Sequence, residues 1–142
     1  MRLARIFLTT ILLGGSALSF YLDWSANHLL SPEWSPHARF HGGLLLFMLA
    51  GVSLTATWLL WRRSKEPGVA IAAASLLALS FWTPLLYVGF LVPGSTPWAG
   101  PPARIPHLAG HVFYPNMAVA AVFVAAIVIT ALAARRSAAS GR

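Results

Sequence analysis

Four long apolar runs, separated by short polar stretches, organise this chain of 142 residues: about 4–22, 41–61, 68–92 and 112–134. A helix rises about 1.5 Å per residue, so roughly 20 residues cross a hydrocarbon layer about 30 Å thick, and each run is long enough to do so. The runs are far too long for barrel strands, and backbone inside lipid must satisfy its own hydrogen bonds. The pattern therefore predicts an all-α fold, an integral membrane four-helix bundle forming one domain over residues 1–142.

The polar stretches hold a second pattern. DWSANHLLSPEWSP (23–36) and PGSTPWAGPPARIP (93–106) are equal in length, and each ends in a proline followed at once by a histidine pair. An offset of 70 lays Pro36 on Pro106, His37 on His107 and His41 on His111. This suggests two repeated helical hairpins, related about an axis along the membrane normal; convergence on a metal-site pattern is the competing explanation. Proline suits the first helical turn, where its missing N–H is not needed, and Ser35 is a suitable N-cap. The second and fourth helices are thus expected to begin at Pro36 and Pro106, each with a histidine pair in its first two turns. Pro84 should kink the third run, close to Trp82, Tyr87 and Gly89.

Composition supports the membrane reading. The chain is 58% hydrophobic and 9% charged, whereas soluble domains carry about a quarter charged residues. Its net charge of +7 would suit nucleic acid, but the placement of the cations argues otherwise. Arg2, Arg5, Arg62, Arg63, Lys65, Arg135, Arg136 and Arg142 all flank one side of the bundle, against Arg39 and Arg104 on the other. The positive-inside rule then places both termini and the 62–67 turn in the cytoplasm and the longer connections outward, in the inner (plasma) membrane. Without cysteine there are no disulfides and no thiolate ligands. Arg2, Arg5, the first apolar run and the small residues Ala17 and Ser19 also fit a secretory signal peptide, whose cleavage would leave three spans.

Helical positions i and i+4 share a face. His37 with His41, and His107 with His111, would each point together into the bundle at the same depth. Four converging imidazoles suit a transition metal ion, with iron, copper or zinc as candidates. Asp23, His28 and Glu33 in the first connection could add ligands or serve as general acid and base. The two acids could equally just pair with Arg39 and Arg104. Arg39 is a candidate for holding a substrate anion or for snorkelling to headgroups, and Trp34 for an aromatic lid or a membrane-interface anchor. Trp24 and Trp98 invite the same pair of readings. Tyr114 and Asn116 could donate hydrogen bonds into the site or reach the interface.

The run Asn27–His41 resembles a motif, H-x-x-x-P-x-W-x-P-H-A-[RK]-F-H, of a family of small four-span membrane proteins of unassigned function. His28, Pro32, Trp34, Pro36, His37, Ala38, Arg39, Phe40 and His41 fit it, while Ser31 and Ser35 stand where the family pattern has Asn and Pro. The resemblance implies a shared four-span plan and a shared site, and no particular reaction.

Three functions are compatible with these residues. The first is a membrane metalloprotein, expected to be an oxidoreductase, acting on a small hydrophobic or lipid-like substrate. The second is a metal-free acid–base enzyme of isomerase or cyclase type. The third is a non-enzymatic accessory or haem-binding subunit. The expected partners are membrane lipids and a hydrophobic small molecule, with a homo-oligomer left open and nucleic acid excluded by the charge distribution.

Overall fold

The computed structural model describes residues 1–139, so Arg142 of the cationic side lies outside the described residues. Four helices are long and apolar enough to cross a membrane. The first runs Arg2–Asp23, the second Pro36–Trp61, the third Pro67–Leu91 and the fourth Pro115–Ala139. At most a third of any apolar window is buried within the protein. Leu3, Phe47, Leu54, Trp58, Leu76, Phe90 and Ile129 all face outward. A soluble bundle would turn one apolar stripe inward and charge the opposite face. These helices stay apolar on the outside, as a lipid-facing surface requires. The protein is an integral membrane four-helix bundle.

Local chemistry sets the helix ends. Pro36 opens the second helix, and the Ser35 hydroxyl accepts a hydrogen bond from the Ala38 N–H at 3.2 Å. Pro67 and Pro115 stand at the starts of the third and fourth helices, the third without a side-chain cap from Glu66. The third helix is interrupted at Thr83, between Trp82 and Pro84, where the proline ring cannot donate to the preceding turn. The Leu79 carbonyl, one turn back, accepts both the Thr83 N–H at 3.0 Å and the Thr83 hydroxyl at 2.6 Å. The first helix contains a π-helical turn at Thr10–Gly14.

The core is built from small and aliphatic side chains. Ala70, Ala74 and Ala78 form a small-residue stripe on the third helix, and all three are buried. Leu8, Ile11, Leu12, Ala56, Leu60, Ile71, Trp82, Ala120, Ile127 and Ala134 join the core from all four helices. Small residues bring backbones close where lipid supplies no hydrophobic drive between helices. Gly15 leaves room for two rings: a Cβ there would lie 2.6 Å from the Trp82 ring and 3.2 Å from that of Phe123. The first helix packs on each of the other three and the third on both its neighbours, with no comparable contact between the second and fourth among the described residues. Those two helices therefore lie across the bundle from one another.

The start of the fourth helix departs from the sequence reading. Pro106 does not open it; residues 107–112 form a short hairpin of two strands, His107–Leu108 and His111–Val112. Ala109 and Gly110 occupy its turn with φ of 51° and 81°, outside the helical region. Two consecutive positive-φ residues are what a two-residue hairpin loop needs, because they match the strand twist. The Phe113 N–H donates to the Pro106 carbonyl at 2.8 Å and closes the base of the hairpin. The helix begins only at Pro115, so the offset of 70 that aligns the histidine pairs is not kept by the helix starts.

Candidate functional site

The two long connections meet at one end of the bundle, over a cavity of about 470 Å³. Its walls are apolar: Leu18 and Leu22 of the first helix, Leu45 of the second, Phe81, Trp82 and Leu85 around the break in the third, and Val119 of the fourth. Residues 97–100 of the second connection cover it, Trp98 among them. The polar side chains that line it are few: Ser19, Asp23, Asn27, His28 and Asn116. Small-molecule pockets commonly combine about 300–1,000 Å³ of mostly apolar space with a few placed polar groups.

Asp23 and His28 stand side by side, with His28 Nδ1 at 3.9 Å from Asp23 Oδ1. Both side chains are about one-third exposed. The separation is too long for a direct hydrogen bond, and His28 Nδ1 is buried without a hydrogen-bond partner. The backbone brings the pair together. Asp23 ends the first helix, and its carbonyl accepts from the N–H groups of Ser25 and Leu29 at 2.9 and 3.0 Å, curling the chain back on itself. Leu29 is buried beneath this turn.

Trp34 holds the other side of the imidazole, with its ring centroid 5.0 Å from that of His28. It rests on Gly42, where a Cβ would meet Leu29 at 2.8 Å and the Trp34 ring at 3.1 Å. Arg39 donates from Nε and from one terminal nitrogen to the Trp34 carbonyl, at 3.2 and 3.1 Å. This guanidinium fixes the first connection to the second helix, and neither Asp23 nor Glu33 pairs with it. Asn116 ties down the other connection: its Nδ2 donates to the Pro97 carbonyl at 2.8 Å. Trp98 Nε1 donates to the Pro101 carbonyl at 3.0 Å within the same loop.

The expected site residues thus divide. Asp23, His28 and Asn116 line the cavity, and Trp34 and Arg39 support it from behind. Glu33 is exposed and lines no part of the cavity, and half-buried Tyr114 does not reach it either. His37 and His41 share one face of the second helix, their Nε2 atoms 3.1 Å apart. His107 and His111 are not on a helix. His107 lies opposite Val112 and His111 opposite Leu108, so the two imidazoles leave the ribbon from opposite faces. The second pair also leads into the fourth helix, which among the described residues is not packed on the second. Among the described residues, no three His, Asp or Glu side chains gather where they could hold one metal ion. The four-histidine constellation is not assembled, because it required a helical start at Pro106 and contact between the second and fourth helices.

Sequence reasoning missed the cavity's floor. Leu18, Leu22, Phe81, Trp82 and Leu85 lie within the apolar runs, where nothing separates a cavity wall from a lipid-facing or core position. The one local signal was Pro84, because the break it imposes places Phe81, Trp82 and Leu85 around the opening.

No family model matches the chain, and no curated protein or solved structure is similar enough to count as a relative.

Proposed function

We propose that this is a membrane enzyme that takes a small hydrophobic or lipid-like molecule into the loop-end cavity and moves a proton on it, with Asp23 and His28 as the acid–base pair. The observation that carries this reading is an otherwise apolar cavity bounded by all four helices, with a carboxylate and an imidazole side by side at its rim. An apolar tail fits against Leu18, Leu22, Trp82, Leu85 and Val119. A hydroxyl, carbonyl or allylic carbon at its polar end would then lie between Asp23 and His28. The 3.9 Å gap leaves the two groups without a hydrogen bond to each other, and both side chains keep about a third of their surface open to a bound molecule. One group of the pair accepts a proton and the other returns one. A double-bond shift of this kind conserves atoms and electrons and needs no co-reactant, so an isomerase or cyclase is the reaction class. The cationic side of the bundle faces the cytoplasm of the cell's inner membrane under the positive-inside rule, which puts the cavity in the outer leaflet.

The test is solvent-proton exchange. Wild-type protein in lipid nanodiscs is incubated in D2O with extracted membrane lipids, and deuterium in each lipid class is read by mass spectrometry. One class gains carbon-bound deuterium with wild type. The rate falls by roughly a hundredfold or more in Asp23→Asn and His28→Ala, the usual span of a lost acid or base. Equal labelling with wild type and both variants would remove the proton-transfer role.

A further inference from the structure

We propose that His37 and His41 form a chelating site for one divalent transition-metal ion, copper(II) most tightly, separate from the cavity. The two imidazoles stand on successive turns of the second helix, both exposed, with their Nε2 atoms 3.1 Å apart. Their ring centroids are 4.5 Å apart and the planes nearly perpendicular, at 87°. In this state one nitrogen donates to the other.

A metal ion can take the place of that shared proton. Imidazole nitrogens bind zinc-sized ions at about 2.0–2.1 Å, and two such bonds meeting between a right angle and the tetrahedral angle put the nitrogens about 2.9–3.4 Å apart. The observed spacing falls inside that window, so chelation requires no movement of the helix. Its rigidity also supplies the second ligand at a high effective concentration once the first has bound.

The neighbours set which ion is preferred. No carboxylate or third histidine joins the pair among the described residues, so water fills the remaining positions. Arg39, between the two histidines in sequence, is held at the Trp34 carbonyl. Two neutral nitrogens with open positions give little geometric selection, and affinity then follows the intrinsic order of the divalent ions, with copper(II) highest. His107 and His111 have the same sequence spacing but leave opposite faces of their ribbon, so they offer no second chelate.

The test is copper(II) titration of detergent-solubilised protein carrying a non-histidine tag, by calorimetry and by electron paramagnetic resonance. The expected result is one copper per chain with two equatorial nitrogens. Affinity falls by about tenfold or more in either His37→Ala or His41→Ala, as the intramolecular second ligand is lost, and is unchanged in His107→Ala/His111→Ala. Because both histidines of the pair are exposed, these variants keep the helical circular-dichroism spectrum of wild type. Wild-type affinity in His37→Ala/His41→Ala, or no binding by wild type, overturns the proposal. A loss in His107→Ala/His111→Ala also overturns it, in favour of a site drawing on both segments.

Discussion

The indole of Trp34 lies 5.0 Å from the imidazole of His28, tilted by 53°, and the same indole rests on Gly42 of the second helix. Trp34 is therefore the wedge that turns a helix start into a support for a rim residue of the cavity. Truncation to Ala should release His28 while leaving the spans intact. The expected outcome is faster carbethoxylation of His28 in Trp34→Ala, read by peptide mass spectrometry, with Trp34→Phe close to wild type. Unchanged reactivity would mean that the backbone turn at Asp23 alone fixes the imidazole.

Adjacent glycines on the first helix should respond in opposite directions. A methyl at Gly15 meets the Trp82 and Phe123 rings, which are packed and cannot swing aside cheaply. Overpacking of this kind costs about 1–3 kcal/mol. Gly14 has open space around it, and there alanine gains about 0.5–1 kcal/mol from its lower conformational entropy. Unfolding of Gly15→Ala and Gly14→Ala in mixed detergent with rising dodecyl sulfate measures both signs.

The strap over the cavity depends on one amide. Asn116→Ala removes the bond to the Pro97 carbonyl, worth about 1 kcal/mol. Hydrogen exchange in the 94–100 segment should speed up several-fold, with the transmembrane amides unaffected. Equal exchange would show that Trp98 and its Pro101 contact hold the strap on their own.

Ala109 carries a φ of 51°, a left-handed conformation that costs an L-residue about 1–2 kcal/mol. Ala109→Asn should stabilise the hairpin and slow exchange of the Phe113 amide, which bonds to Pro106. Gly110→Val, at φ 81°, should do the reverse.

The two Pro-His segments show what the sequence made legible and what it hid. At Pro36 the local signals agree: a serine cap, a proline in the first turn, and an uninterrupted run as far as Trp61. The helix starts where the pattern says. At Pro106 they conflict. A helix from there would have to pass Gly110 and then reach Pro115, which removes a helical hydrogen bond and drives Tyr114 out of the helical region. That conflict is present in the sequence, where the likeness of the two histidine pairs masks it. The four spans were legible because lipid imposes length and apolarity on each helix alone. The cavity was not, because it depends on which helices touch. Among the residues of the Asn27–His41 motif, Trp34 and Arg39 support the site from behind and His28 reaches the rim.

Trp82 belongs to the packed core and to the cavity at once: it is 5% exposed, presses on Gly15 and Phe123, and still forms part of the floor. Ligand occupancy and folding are thereby linked through one side chain. A molecule that binds only the folded protein adds about 2.7 kcal/mol of stability at a concentration one hundred times its Kd. The melting temperature of the purified protein can therefore rank candidate lipids before any reaction is known, and Gly15→Ala, by shifting Trp82, should flatten that ranking.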